Sequence, residues 1–540
     1  MNPLASTKCV RRVVMALAAI SGIVLGVGCG SSSSTSPNSN GFSKSNLTGT
    51  YVIAVSGLDI TSTTESFFAV VGTIAADGKG GLTGTVDIND PDLGGTGLFL
   101  GQTVGTSSGY SISPDGRGSA TLVTPKKAFG FDFVLTSTGH GLITRFDNNG
   151  TGSGTLDIQG TATQGSLASL VFSLSGGVNS DGNSIGTVGA FTLNSSGTIT
   201  PAGIQDVNEN GSSIGELTGL PLTGSLVLGS SNSGTAQLNT TFGALTFDVW
   251  AIDSTHLKLI ETDGSGLTLS GDAFTQQSSF TPGQLVYTLG GLDSTFTNPV
   301  VAGGFVTTDA QGTLSNGLED FNDDGSIINT VQNFGGSCTT FTAGRCQLTL
   351  PSFSNGSAQT FQFAAYPSSG GVQMLEIDGH GLLQGAAYAQ TATTFAASTG
   401  YGLNLTGANS NGEVDDIAQF NAGAPGTTST TTPNMTGVLD ENDLGSGLFS
   451  ANLSGIYVPD SPATGRGSIT IPNINTLNGT INLEYYVVDG STILLIEGDS
   501  GQVALGMFQL QGASSAVSAA QSHISVVRAI VRPHAALTHK

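Results

Sequence analysis

The chain is poor in charge, and above all in basic residues. Charged residues make up only 10% of the 540 positions, and 38 acidic residues stand against 15 basic ones. Six of the basic residues lie in the first 28 or last 28 positions, which leaves nine for the body between them. A surface of this kind repels nucleic acid and anionic lipid, and it favours solubility or cations. The composition therefore excludes nucleic acid as a partner.

The motifs of familiar catalytic and metal centres are also missing. The four cysteines are Cys9, Cys29, Cys338 and Cys346, and no two of them form a C-x-x-C pair, which excludes a zinc site of the usual spacing. There is no H-E-x-x-H, and no G-x-S-x-G stands in a strand–turn–helix context. We therefore predict that the chain is not an enzyme and carries no obligatory cofactor.

The first residues of the chain predict an export signal. Lys8, Arg11 and Arg12 precede an apolar run at residues 13–27 that is too short for a membrane span. The run ends in Leu-Gly-Val-Gly before Cys29, and a Ser-rich stretch follows. This leader resembles that of bacterial lipoproteins, although glycine stands at position 26 where leucine is usual. An ordinary secretory leader with a chance cysteine is the alternative.

The lipoprotein resemblance covers the leader alone. It implies that residues 1–28 are a signal peptide, that Cys29 receives lipid, and that residues 29–46 form a flexible tether. It also implies a location in the cell envelope, at the outer membrane or cell surface. In an exported chain, Cys338 and Cys346 are expected to form a local disulfide that closes a small loop.

One β-hairpin pattern occurs four times. It covers residues 131–147, 247–263, 361–378 and 485–499, and a glycine and then a glutamine follow each copy. The closing aspartates recur every 115–121 residues. The glutamines are Gln159, Gln276, Gln390 and Gln511. The chain therefore carries four copies of one β-module.

The predicted fold is all-β, with four tandem antiparallel modules of about eight strands each. We place them at residues 47–160, 167–277, 284–391 and 399–512. Even, short spacing of turns favours an up-and-down β-barrel over a two-sheet sandwich, with the closing Gly…Gln strand paired to the opening strand. The separators are short, so the modules should touch. Residues 513–540 fit a short amphipathic helix and a frayed tail equally well.

An acidic turn in each module is one candidate site. In two modules it matches the opening of a calcium loop, in which alternate oxygens converge on one ion. These residues are Asp206, Asn208 and Asn210, and Asp320, Asn322 and Asp324. The glutamate that should complete such a loop is missing, and a structural turn is the plainer interpretation.

Carboxylate pairs near the ends of the hairpins are the second candidate site. The pairs are Glu261 with Asp263, Glu376 with Asp378, and Glu497 with Asp499. Residues two apart in a strand share a face, so each pair could point into one pocket. Paired carboxylates around a pocket are typical of carbohydrate-directed enzymes. Module one has Arg145 in place of the glutamate, and solvated charge at a strand end is the plainer interpretation.

These patterns together predict an exported, lipid-anchored surface protein that acts as a repeated binding or structural module. Its partners would be the membrane through the anchor, and a glycan or an envelope protein. The alternative is a carbohydrate-directed enzyme or binding protein that uses the Glu/Asp pairs. A deep pocket flanked by two carboxylates would favour that alternative.

Overall fold

A computed structural model describes residues 41–512, except for short gaps. The gaps are residues 61–64, 181, 211–213, 294–297, 326, 339–340, 355–356, 411, 428–429, 445–446, 473 and 475–478. Cys29, the leader, most of the tether and residues 513–540 lie outside the described residues. The predicted all-β fold of four antiparallel barrel modules is confirmed within the described part of the chain.

Barrel 1 is a nine-stranded sheet that curls until its edges approach. Gly105 N donates to Val123 O at 2.8 Å, and Tyr110 N donates to Gly80 O at 2.9 Å across this seam. Its strands are β1 Thr48–Ile60, β2 Glu65–Asp77, β3 Leu82–Asn89, β4 Leu98–Val104, β5 Gly109–Ile112, β6 Arg117–Val123, β7 Ala128–Leu135, β8 His140–Asp147 and β9 Gly150–Ile158. Short 3-10 helices cover Lys44–Asn46, Pro91–Leu93 and Gln164–Ser166.

Barrel 2 is a closed barrel of eight strands. They are β10 Ser169–Val178, β11 Asn183–Thr192, β12 Gly203–Glu209, β13 Leu217–Leu228, β14 Ser233–Asn239, β15 Ala244–Ala251, β16 His256–Glu261 and β17 Leu267–Thr275. As predicted, the closing strand β17 pairs with the opening strand β10, with Gly271 opposite Leu174.

Barrel 3 is an eight-stranded sheet whose edge strands β21 and β22 lie at its seam. Its strands are β18 Gly283–Leu292, β19 Pro299–Thr308, β20 Thr313–Asp323, β21 Ile327–Ser337, β22 Cys346–Ser354, β23 Ser357–Ser368, β24 Gly371–Glu376 and β25 Leu382–Ala389. Cys338 follows β21 and Cys346 begins β22, and the predicted disulfide between them is confirmed. The bond therefore joins the two edge strands at the seam.

Barrel 4 is again closed, with eight strands. They are β26 Thr399–Asn409, β27 Gly412–Ala422, β28 Met435–Asp443, β29 Gly447–Pro459, β30 Arg466–Pro472, β31 Thr480–Val487, β32 Thr492–Glu497 and β33 Gln502–Leu510.

Each barrel is filled by its own apolar side chains. Strand β15 shows why: Leu245, Phe247 and Val249 alternate with Thr246 and Asp248, so one face enters the core. The other barrels have equivalent interior clusters. Among the described side chains these interior clusters are predominantly apolar.

The four barrels close into a ring. Strand β2 contacts β16 and β17, β11 contacts β23 and β24, β19 contacts β31 to β33, and β27 contacts β7 to β9. The second strand of each barrel thus packs on the late strands of the next barrel, and the second strand of barrel 4 packs on barrel 1. Further apolar clusters fill these interfaces, one of them around Trp250 between barrels 1 and 2. A head-to-tail contact whose rotation closes after four copies gives a ring.

Candidate functional site

The glutamine that ends each module bonds to the next barrel. Gln159 Nε2 donates to Ala251 O at 3.2 Å, and Gln390 Nε2 donates to Val487 O at 2.8 Å. Gln276 Nε2 donates to Ala343 O at 3.3 Å. Gln511 Nε2 donates to Leu135 O at 2.9 Å, so the last module is tied to the first. Sequence analysis found this residue but assigned it no role.

These glutamines contact the glycines of three Gly-Arg pairs, which are Gly116-Arg117, Gly344-Arg345 and Gly465-Arg466. Gly116, Gly344 and Gly465 have φ between +84° and +93°. A Cβ at Gly344 would lie 1.5 Å from Nε2 of Gln276, and one at Gly465 would lie 2.3 Å from Nε2 of Gln390. The left-handed backbone conformation therefore favours glycine there, and a larger residue would also have to displace the glutamine side chain of the neighbouring barrel.

The asparagine of each acidic turn makes the second repeated contact. Its side-chain amide donates to backbone carbonyls at the hairpin end of the next barrel. Asn89 Nδ2 donates to Leu267 O at 3.1 Å, and Asn322 Nδ2 donates to Asp499 O at 2.8 Å. Asn208 Nδ2 donates to both Glu376 O and Gly381 O at 2.9 Å. Asn442 Nδ2 donates to both Arg145 O and Gly150 O at 2.8 Å. The acidic turn and the hairpin end, taken from the sequence as separate candidate sites, are two halves of one interface.

The aspartate of the acidic turn makes the third contact, and here the four interfaces differ. Between barrels 2 and 3, Arg345 binds Asp206 in bidentate fashion through Nε at 2.7 Å and Nη2 at 2.9 Å, and the Tyr366 hydroxyl also donates to Asp206. Between barrels 3 and 4, Arg466 binds Asp320 in the same way at 2.6 and 2.9 Å, with Tyr486 as the hydroxyl donor.

The interface between barrels 3 and 4 has a further carboxylate. Glu484 Oε2 lies 2.9 Å from Arg466 Nη2, and Asp460 Oδ2 lies 2.9 Å from its Nη1. Burial raises the pKa of Glu484 to about 7, against the lowering effect of Arg466. One guanidinium thus serves three carboxylates.

The other two interfaces lack the complete ion pair. Between barrels 4 and 1, Arg117 Nη1 lies 4.0 Å from Asp440, and Val134 replaces the tyrosine. Between barrels 1 and 2, Ser233 and Trp250 occupy the arginine and tyrosine positions. Asp87 there faces Asp248, and burial, followed by the hydrogen bond and charge of Asp248, raises the pKa of Asp87 to about 7.

The structure brings the predicted carboxylate pairs together. Glu261 is fully buried at the end of β16, and Asp263 N donates to Glu261 Oε1 at 2.9 Å. Burial, together with the hydrogen bond and charge of Asp263, raises the pKa of Glu261 to about 8. Burial also raises the pKa of Glu376 and Glu497 well above the usual value. The glutamates are therefore buried rather than solvated.

The aspartates of the pairs cap the hairpins. Asp263 accepts from Thr246 N at 2.5 Å, Asp378 from Gln362 N at 2.6 Å, and Asp499 from Asn482 N at 2.8 Å. Arg145, in the glutamate position of barrel 1, is fully buried and bonds to Asp59 and Asp147.

The acidic segments that carry the calcium candidates were expected to form turns, and this was wrong, because they occupy strands and strand ends. Asp206, Asn208, Asp320 and Asn322 lie in β12 and β20, while Asn210 and Asp324 follow these strands. Arginine and backbone carbonyls of the next barrel engage the first four, as described above. Among the described residues, no group of three or more His, Cys, Asp or Glu side chains is arranged to hold a metal ion. Calcium binding stays a prediction that this geometry does not favour.

A cavity of about 290 Å³ opens at the interface between barrels 3 and 4. Asp320, Glu484 and Glu497 line it, together with Thr330 and Ile496. Sequence analysis singled out Asp320 and Glu497 for different reasons, but it missed Glu484. The available signal for Glu484 was its alternation with core residues in β31, because Asp320, which it meets at the cavity, belongs to another module.

None of the described residues forms a helix that is long and apolar enough to cross a membrane.

Comparison with known proteins gives distant likenesses only. No protein-family model and no curated protein matches the chain. Among solved structures, it is similar to transferrin binding protein B from serogroup B Neisseria meningitidis, at 10% identity and a TM-score of 0.18, covering 69% of this chain and 84% of that one. A Haemophilus parasuis Hp5 transferrin binding protein B mutant gives 9% identity, a TM-score of 0.19 and coverages of 86% and 96%. At these scores the likenesses carry no argument about function.

Proposed function

We propose that the chain is an exported, lipid-anchored protein of the cell surface whose ring of barrels is a rigid platform for binding an envelope glycan or protein. Ring closure is the observation that carries this proposal. Asn442 and Gln511 of barrel 4 bond to barrel 1 through the same atoms that join the other barrels. A closed ring displays four related sets of loops around one axis, so weak contacts can act together.

The leader supports the location, since the lipoprotein-like Cys29 and a Ser-rich tether precede the first strand. A binding role is favoured over a catalytic one because the buried carboxyls mostly serve the interfaces. The excess of acidic residues favours a partner that carries positive charge.

The cavity between barrels 3 and 4 gives the carbohydrate-directed alternative a specific observation. Asp320, Glu484 and Glu497 surround a space large enough for one small polar molecule. We propose this as the second candidate function, in the form of a binding site.

The platform proposal is tested by fractionation and binding of the full chain. Wild-type protein should fractionate with membranes, be digested by protease added to intact cells, and bind isolated envelope. Cys29→Ser should release it into the soluble exported fraction. Asn442→Ala combined with Gln511→Ala should weaken envelope binding if the ring displays its loops together. Soluble wild-type protein, or envelope binding that is unchanged in the double variant, would count against the anchor and the platform respectively.

A further inference from the structure

One residue that lines the cavity between barrels 3 and 4 has a carboxyl oxygen that the protein leaves without a hydrogen bond. Glu497 is 1% exposed, and its Oε2 atom makes no hydrogen bond. It lies at the end of β32 and lines the cavity. A buried carboxylate oxygen without a partner is costly, unless a proton or an added group compensates it.

The charges around the cavity are predominantly negative. Asp320 has Arg466 and Tyr486 as partners, and Glu484 shares the same arginine. Burial raises the pKa of Glu497 most, and the charges of Asp499, Asp416 and Glu441 raise it further, against a hydrogen bond from Gln502. Asp320 and Asp460 raise the pKa of Glu484 in addition to its burial. The single guanidinium binds Asp320 and Glu484, and no cation is among the groups that act on Glu497.

The form of the cavity favours an organic cation over a metal ion. No group of three or more carboxylates in the described part of the chain is placed for metal ligation. The lining instead combines separated carboxyls with the Ile496 side chain and the hydroxyl of Thr330 on an exposed rim. Separated acceptors on an apolar wall suit a molecule that carries its charge on a carbon frame.

We propose that this cavity binds a small molecule bearing a protonated primary amine, such as an amino sugar or a short diamine, with the ammonium group between Glu484 and Glu497. The inference goes beyond the platform function and requires neither export nor the anchor. The barrel 2–barrel 3 interface has the same Asp–Arg–Tyr contact, but Ala364 stands at the position of Glu484. The proposal therefore assigns the site to this interface through Glu484.

Binding should depend on pH in a defined direction. Ammonium binding requires the carboxylate forms, and burial raises the pKa of Glu484 to about 7 and that of Glu497 well above the usual value. Affinity should therefore rise as the pH increases through about 7, and binding should release protons.

Titration calorimetry on the full-length protein tests the site. The probes are putrescine and glucosamine, with 1,4-butanediol and glucose as neutral counterparts. At least one amine should bind, its neutral counterpart should not, and Glu484→Gln should weaken binding about tenfold, as expected for the loss of a charged hydrogen bond. Glu216→Gln is the matched control, because Glu216 is exposed and lies outside this cavity, and it should bind as wild type does. The tighter amine identifies the source.

Two further measurements separate a loss of binding from a loss of folding and detect the expected proton release. Circular dichroism checks that Glu484→Gln remains folded. Calorimetry in buffers of different ionisation heat measures proton release in the unaltered protein. Absence of binding by both amines at millimolar concentration, equal binding of the neutral counterparts, or unchanged affinity in a folded Glu484→Gln protein would overturn the proposal. Binding of calcium chloride alone that displaces the amine would assign the cavity to a metal instead.

Discussion

The interface between barrels 3 and 4 and the interface between barrels 1 and 2 use the same positions, but an arginine occupies one of them in the first interface alone. In the first, Arg466 binds Asp320 and approaches Glu484. In the second, Ser233 stands in place of the arginine, and Asp87 faces Asp248. Both interfaces nevertheless form, with an asparagine and a glutamine bonded to backbone carbonyls of the next barrel. Neutral side-chain-to-backbone bonds therefore define the ring, and the ion pair is a variable addition to it.

Removing the arginine of the interface between barrels 3 and 4 should have the largest effect on stability. Arg466→Met would leave Asp320 buried without its charge partner, and we expect a loss of about 3–5 kcal/mol in the free energy of unfolding. Urea denaturation measures it. Arg117→Met is the matched control: Arg117 bonds to Asp115 at a half-exposed site and lies 4.0 Å from Asp440, so its loss should cost less than about 1 kcal/mol. Equal costs for the two variants would contradict the comparison.

Removing the asparagine should affect both interfaces alike. Asn322→Ala and Asn89→Ala each leave buried carbonyls without a donor, and we expect each to cost about 1–3 kcal/mol. Urea denaturation again gives the values, and Asn452→Ala on the exposed face of β29 should change stability by less than about 0.5 kcal/mol. A large cost at one interface and none at the other would show that the asparagine is not the common element.

The sequence was sufficient to predict the fold but not the ring. Alternating apolar residues, as in β15, and the recurrence of Gly and Gln at fixed spacing reveal four β-modules, because these signals are local or repeated along the chain. The partners of Asn442 and Gln511 lie about 300 and 380 residues away in the chain. No local pattern encodes that proximity.

The candidate site was predicted in parts. Asp320 and Glu497 were found as members of different motifs, because their spacing fits a turn and a strand respectively. Their meeting at one cavity depends on how barrels 3 and 4 pack. The three glutamates were expected at solvated strand ends, whereas they are buried where the preceding barrel contacts the hairpin ends. Burial between modules cannot be read from the alternation within one module.

The pH dependence of stability should distinguish the two interfaces. Because the pKa of Asp87 is raised to about 7, its contribution to stability is full below about pH 4 and is lost as the pH rises to about 7. As the pH rises from 5 to 8, the free energy of unfolding of Asp87→Asn should therefore increase relative to that of wild type by on the order of 1 kcal/mol. Urea denaturation at each pH measures this difference. Asp206→Asn, which leaves Arg345 without its carboxylate, should be destabilising at both values. If Asp206→Asn gained the same stability relative to wild type from pH 5 to pH 8, the two interfaces would not differ in their pH dependence.

Adding the arginine that the interface between barrels 1 and 2 lacks should make it resemble the interface between barrels 3 and 4. We expect this change to have the smallest effect on stability. Ser233 begins β14 opposite Trp250, as Arg466 begins β30 opposite Tyr486. Ser233→Arg would place a guanidinium near Asp87 and Asp248, lower the pKa of Asp87, and favour its charged form. We expect a gain of about 0.5–1 kcal/mol at pH 8 and little change at pH 5, where Asp87 is already protonated.

Ser230→Arg is the control for this change, since Ser230 is an exposed residue of the same turn region, and it should leave stability at both pH values within about 0.5 kcal/mol of wild type. The contrast isolates position from added charge, because both variants raise the net charge of an acidic chain by one. If Ser233→Arg stabilised the protein no more at pH 8 than Ser230→Arg does, a cation at this position would not stabilise Asp87 and Asp248. The interface between barrels 1 and 2 would then be stable without a cation, through the hydrogen bond between Asp87 and Asp248 and the apolar contacts of Trp250.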